Sequence, residues 1–135
     1  MVKIDENPTP VGELVLQTLA MPRDTNSNGD IFGGWLLAQM DLGGAIAARE
    51  AAKGRVTTVA VGSMVFLRPV PVGSTVSCYC EILDIGRSSI KTSVEVWVRQ
   101  CHKREQQKVT EGEFIYVAID DTGRTRPVPP EEDED

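Results

Sequence analysis

Histidine is nearly absent from this chain: His102 is the only one, and it stands beside Cys101 in the charged stretch CHKREQQ. A Ser/His/Asp or Cys/His mechanism would rest on that single loop residue, which argues against both. Cysteine is also scarce. Three thiols, two of them (Cys78 and Cys80) two residues apart on a strand-like stretch, do not make a disulfide framework, and all three are read as buried thiols. The i, i+2 pair also lacks the turn-based spacing of a zinc site, so Cys78, Cys80, Cys101 and His102 are not read as metal ligands. Asp24 and Asp30 lie in a loop that turn chemistry and capping already explain, so with Asp41 they do not suggest a metal cluster either. No metal is expected.

Basic charge is the next deficit. Fourteen Lys and Arg against 20 Asp and Glu leave a net charge of −6, whereas a phosphate backbone is bound by Lys/Arg clusters that release counterions. Nucleic acid is therefore not an expected partner, and an anionic small molecule would need a local basic patch. Long apolar runs are missing too: WLLAQMDLGGAIAA is broken by Gln39 and Asp41, and a bilayer span takes about 20 residues. The first residues, MVKIDENPTP, carry acids and prolines in place of the apolar centre of a secretory signal. A soluble, cytoplasmic protein with no membrane partner is expected. Neither G-x-S-x-G nor G-x-x-x-x-G-K-[ST] occurs, which excludes hydrolase elbows and nucleotide loops.

What is present fits one domain of 135 residues with no internal linker. A short strand-like segment, GELVLQTLA (12–20), leads into the turn-rich loop MPRDTNSNG. From Gly34 to about Ala52 good helix formers dominate, and Lys53-Gly54 supplies a cation and a C′ glycine as a stop. Trp35, Leu36, Leu37, Met40, Leu42, Ile46 and Ala47 point in most directions, which predicts a helix wrapped by protein. The remainder alternates with period two over 56–70, 74–86, 88–101 and 108–120, predicting four long strands joined by hairpins such as PVG and GR. In the third of these, Ile90, Thr92, Val94, Val96 and Val98 share one face and Lys91, Ser93, Glu95 and Arg99 the other. The economical arrangement is α+β, an antiparallel sheet curled round one long helix, with the N-terminal strand completing it.

Asp41 is the unusual residue. Its helical neighbours are Leu37, Ala38, Gly44 and Ala45, and the nearest helical cation, Arg49, is two turns away. Gly43 and Gly44 each cost about 1 kcal/mol relative to Ala in a helix interior, so something approaches closely. Two readings stay open: another part of the protein fills the space, or the space is a ligand slot in which Asp41 is a general base. Gly33 and Gly34 would offer free N–H groups at the positive end of the helix, suited to a developing oxyanion.

The segment LAMPRDTNSNGDIFGGWLLAQMDLGGAIAARE, together with GRVTTVAV and GRSSIKTSVEVWV, resembles the YciA-type acyl-CoA thioesterases of the hotdog superfamily. The resemblance spans residues 12–127, which implies an N-terminal extension over 1–11, a hotdog domain, and an acidic, disordered tail over 128–135. It further implies hydrolysis of acyl-CoA without a cofactor, by a homo-oligomer of dimers that often assembles into a hexamer. Asp41 matches the family's helical acid, base or nucleophile. Asn26 matches a loop asparagine serving a site with the acid of the other subunit. Gly33 and Gly34 match the turn whose amides face the thioester carbonyl, and Thr58 a hydroxyl that helps hold the water. Gly62 departs from the pattern, standing where many relatives carry an acid.

For the CoA phosphates the candidates are Arg55, Arg68 and the cluster Arg87, Ser88, Ser89 and Lys91, each of which could equally be solvated surface charge. Two other functions fit the same fold: a non-catalytic acyl-CoA-binding module, and a hotdog hydratase, which would usually need an Asp/His pair.

Overall fold

The computed structural model describes residues 9–130. Strand β1 (Glu13–Leu19) is followed by a 3-10 turn at Pro22–Asp24 and by helix α1 (Gly33–Ala52). Strands β2 (Val56–Val61), β3 (Thr75–Ile85), β4 (Ser89–Arg99) and β5 (Gln107–Ala118) complete it. All pairings are antiparallel, in the order β1-β3-β4-β5-β2.

The expected faces of β4 are present, with Ile90, Thr92, Val94, Val96 and Val98 all buried. Its other face is not wholly solvated. Glu95 and Trp97 are buried there, and Glu95 accepts hydrogen bonds from Trp97 Nε1 at 2.8 Å and Val11 N at 3.3 Å and pairs with Lys108 at 3.6 Å.

Three expectations need correction. The stretch 56–70 is not one strand: the ladder ends at Val61, after a register shift between Thr58 and Ala60. Beyond it the chain still follows β5, held by Gly62 N–H to Glu113 O (2.7 Å), Leu67 N–H to Val109 O (2.7 Å) and Thr110 Oγ1 to Val65 O (2.7 Å). Pro69 and Pro71, which have no N–H to donate, prevent the ladder from resuming. PVG is consequently no hairpin but a crossover from the β5 side to β3, with Gly73 N–H bonded to Ala20 O (2.7 Å). GR does close a hairpin, through Gly86 N–H to Ser89 O (2.8 Å).

The sheet curls round the helix as expected. Leu36, Met40, Gly43, Gly44, Ala48 and Ala52 face the sheet, while Leu37, Leu42 and Ile46 stay 36, 55 and 39% exposed. Five strands cover one side of the helix, and these three apolar residues on its other side are left exposed by the described residues. Finally, Cys101 is exposed, in the turn after β4, whereas Cys78 and Cys80 are buried and free.

At the helix end the left-handed residue is Lys53 (φ 54°), one place before the expected glycine. Gly54 leaves room for the Arg126 guanidinium, which donates from Nη2 to Ala52 O (2.9 Å) and from Nε to Ile119 O (3.0 Å). The chain after β5 is thereby drawn against the helix end, and Val128 packs on the core. The tail residues 131–135 and the first eight lie outside the described residues.

Candidate active site

Asp41 sits at mid-helix, half-buried, under the end of the sheet where β2 and β5 pair. Thr58 and Tyr116 are register partners there. Thr58 donates its hydroxyl to Asp41 Oδ1 at 2.7 Å. Tyr116 brings its hydroxyl to the same Oδ1 at 3.1 Å and to the Asp41 backbone carbonyl at 2.9 Å, so one phenolic proton is shared between two acceptors. Among the described residues no donor reaches Oδ2. Both hydroxyls therefore orient the carboxylate through one oxygen and leave the other available.

Tyr116 is the site residue that sequence reasoning missed. Burial first, and then the adjacent Asp41 charge, push its phenol upward from the ordinary range, so it stays protonated as a donor. It stacks on Phe114, with ring centroids 6.4 Å apart. The glycine pair belongs to the same arrangement. A Cβ on Gly44 would collide with the Tyr116 hydroxyl, and one on Gly43 would stand 2.9 Å from Val15 Cγ2. Of the two readings left open by the sequence, the first holds for these glycines: protein fills the space, and what fills it at Gly44 is a hydroxyl directed at Asp41.

Helix α1 starts without a cap. Phe32 is the N-cap residue, makes no side-chain cap bond, and no acid lies in the first turn. Trp35 and Leu36 N–H groups reach Phe32 O at 3.1 and 3.5 Å. Gly33 and Gly34 N–H have no acceptor among the described residues, so the positive end of the helix dipole is uncompensated. Beside it lies an apolar cleft of about 370 Å³ lined by Ile31, Leu36, Phe66 and Val70, with Arg68 at its edge.

Asn26 closes its own loop. Its Oδ1 accepts from Asn28 N (2.9 Å) and Asp30 N (3.2 Å), and its backbone N–H donates to Asp30 O (2.7 Å). The exposed side-chain amide keeps its Nδ2 donors free among the described residues. No hydrogen bond joins Asn26 to Asp41 among the described residues.

The six phosphate candidates do not form one cluster, although Arg55 and Ser88 come together at the end of β5, their carbonyls accepting from Ile119 N (3.0 Å) and Ala118 N (2.9 Å). Arg55 is tied to the carbonyls of Asp120 (3.4 Å) and Asp121 (3.2 Å), and Lys91 pairs with Glu113 at 3.3 Å on the outer face of the sheet. Arg68 lies beside the start of β5 through Leu67, while Ser88 bonds Ala118 at its end, about 30 Å away along a strand. Arg87 is at the exposed tip of the β3–β4 hairpin with Ser88, Ser89 following, and its guanidinium has no ion-pair partner among the described residues.

A five-stranded antiparallel sheet packed on one long helix, with the acid at mid-helix, defines a hotdog-fold protein of the thioesterase kind. Residues 28–104 match the family model described as "Thioesterase superfamily". The chain is 57% identical over 124 residues to the acyl-CoA thioester hydrolase YciA of Salmonella typhimurium, covering 90% of this chain and 93% of that one. Among solved structures it is similar to a hexameric thioesterase from Yersinia pestis (55% identity, TM-score 0.87, 91% of this chain and 100% of that one). A hexameric hotdog fold thioesterase of Campylobacter jejuni is also similar (40%, 0.83, 87% and 91%). The chain belongs to the thioesterase superfamily.

Proposed function

We propose that the protein hydrolyses acyl-CoA thioesters to free acid and CoA, with Asp41 as general base. The observation that carries this reading is the carboxylate itself: Oδ1 is held by two hydroxyls and Oδ2 is unengaged among the described residues, facing no cation that would quench it. Relatives more than half identical over nine-tenths of the chain are named acyl-CoA thioester hydrolases, and a structural neighbour is a hexameric broad specificity acyl-coenzyme A thioesterase.

The site is shared between two copies. Gly33 and Asp41 are eight residues apart on one helix, about 12 Å along its axis. A water held by Asp41 and a carbonyl oxygen held by a Gly33 or Gly34 amide belong to one reacting group only a few ångströms across. One chain cannot supply both. A second copy, seated on the exposed Leu37, Leu42 and Ile46, brings its own helix N-terminus and Asn26 to the first copy's Asp41. Three such dimers make the hexamer.

In this arrangement the Gly33 and Gly34 amides polarise the thioester carbonyl and hold the oxyanion. Asp41 takes a proton from water as its oxygen attacks the carbonyl carbon. Asn26, whose Oδ1 is spent on its own loop, acts through Nδ2 as a donor to that water. Collapse of the tetrahedral intermediate breaks the C–S bond, and the proton on Asp41 passes to the departing CoA sulfur. None of these steps calls for a metal or cofactor. The three unpaired cysteines agree with a cytoplasmic location.

The test is thiol release from a panel of acyl-CoAs by the wild type and by Asp41→Ala. Hydrolysis by the wild type and a loss of 10²–10⁴-fold or so in the variant are expected. Binding without turnover would make the protein an acyl-CoA-binding module, water addition to an enoyl-CoA would make it a hydratase, and an Asp41→Ala enzyme as fast as the wild type would remove Asp41 from the mechanism.

A further inference from the structure

We propose that Tyr116 is a positioning residue for the reaction, which with Thr58 pins Asp41 Oδ1 and so directs Oδ2 at the attacking water. The inference rests on the reading of Asp41 as general base and adds which oxygen works and what aims it.

Three features of the structure point this way. The first is convergence: hydroxyls from two different strands, β2 and β5, meet on one carboxylate oxygen. Oδ2 is not among the buried atoms that lack a partner, so with Oδ1 held by both hydroxyls it stays open to solvent and to an attacking water. The second is that the helix gives up a side chain to admit the phenol. Only a glycine fits at position 44 with the Tyr116 hydroxyl where it is, although Ala would be the better helix former. The third is the second acceptor of that hydroxyl, the backbone carbonyl of Asp41 itself. Bonded to the backbone and the side chain of one residue, the phenol restricts rotation of the carboxylate about its Cα–Cβ and Cβ–Cγ bonds, as an orienting group must.

The chemistry assigned to Tyr116 is that of a donor alone. It keeps its proton throughout, touches neither the water nor the thioester, and takes no part in the proton transfer from water to Oδ2. Its effect is on the fraction of time the carboxylate is aimed.

Steady-state kinetics with butyryl-CoA on the assembled protein test this, comparing wild type, Tyr116→Phe, Asp41→Asn and the double variant. Tyr116→Phe keeps the ring and its stacking on Phe114, so the fold is retained; circular dichroism and assembly size confirm it. The expected result is a kcat about ten- to a hundredfold lower with KM unchanged, the signature of an interaction that matters only in the transition state. In the Asp41→Asn background the same substitution should produce no further loss. Thr58→Val should lower kcat in the same manner and Thr58→Ser should restore it. An unchanged kcat in Tyr116→Phe overturns the proposal. So does an equal loss in both backgrounds, which would mean that Tyr116 acts without Asp41, and so does a raised KM at constant kcat, which would place the phenol against substrate. Should Asp41→Asn itself turn over like the wild type, the reading of Asp41 as base fails and this proposal with it, an outcome distinct from a silent Tyr116→Phe beside a dead Asp41→Asn.

Discussion

Gly44 and Tyr116 exclude each other's bulk: a Cβ at position 44 would stand 3.1 Å from Tyr116 Cζ and 3.2 Å from Cε2, closer than packed carbon atoms tolerate. Gly44→Ala should therefore push the phenol off Asp41. A helix-propensity gain of about 1 kcal/mol offsets part of an overpacking cost of about 1–3 kcal/mol, leaving a modest loss of stability. The kcat loss should resemble that of Tyr116→Phe. Gly43→Ala provides the contrast, since its Cβ would meet Val15 Cγ2 at 2.9 Å and Cys78 Cβ at 3.4 Å rather than the phenol. Urea midpoints and turnover measured on both variants decide the matter. Equal kcat losses at 43 and 44 would mean that the helix as a whole, and not the phenol, carries the effect.

Much of this site is legible in the sequence. The helix, the acid at its middle and the glycines at its start stand out, because composition, periodicity and turn residues are local properties. The inward face of β4 is legible for the same reason. Tyr116 is not. Alternation in β5 puts Phe114, Tyr116 and Ala118 on one face, but which helix residue that face meets depends on how the helix crosses the sheet, and no local pattern encodes that. The glycine pair announced a close approach without saying by what. The stretch 56–70 misled in a related way: apolar alternation continues past Val61 although the backbone partners do not, and Pro69 and Pro71 mark the limit that the alternation conceals. An exposed Leu42 was also invisible, because a sequence reports that a residue seeks burial and not which chain provides it.

Shared sites predict complementation. Asn26→Ala and Asp41→Ala subunits, each nearly inactive alone, recombine on mixing into dimers in which one site has an intact Asp41 from one copy and an intact Asn26 from the other. Random reassembly should restore about a quarter of wild-type activity, half of the dimers being mixed and half of their sites intact. Activity is read after denaturation and joint refolding, with tags to count mixed dimers. Mixed dimers that show no recovery would put each site within one chain.

Recognition of CoA by a chain of net charge −6 must be local, because long-range electrostatics repel a polyanion. Arg87, at an exposed hairpin tip, has no ion-pair partner among the described residues, whereas Lys91 pairs with Glu113 and Arg55 is engaged by two carbonyls. Arg87→Ala should raise KM for acyl-CoA several-fold at nearly constant kcat, a phosphate contact remote from the reacting carbonyl being equal in ground and transition states. An acyl-pantetheine substrate, which has no nucleotide phosphates, should be unaffected, and so should Lys91→Ala with either substrate. Equal weakening of both substrates by Arg87→Ala would move the phosphate site elsewhere, with Arg68 next to be tried.

Alkaline pH should unfold the protein through its buried acids. Burial, with a smaller contribution from Cys80, pushes the Cys78 thiol from 9.0 up to about 12. Burial also pushes Cys80 up to about 11, a rise opposed by the Thr92 hydroxyl and assisted by Glu13 and Glu81. Tyr116 is shifted in the same direction. A thiol that holds its proton in the folded state while the unfolded chain has released it makes the folded state bind more protons, so stability falls as pH rises. The native advantage is intact below about pH 9 and declines from there towards pH 11 for Cys80 and 12 for Cys78. Each thiol contributes a slope of about 1.4 kcal/mol per pH unit in its window. Urea midpoints at pH 7.5 and 10 should differ accordingly in the wild type, and the difference should shrink in Cys78→Ala, which loses packing at both pH values but has no thiol to ionise. Thiol reagents give the complementary reading at pH 8: one fast-reacting group per chain in the native protein, the exposed Cys101, and three after denaturation. Fast modification of all three in the native protein, or a pH dependence unaltered by Cys78→Ala, would show that these thiols are not the groups on which alkaline stability turns.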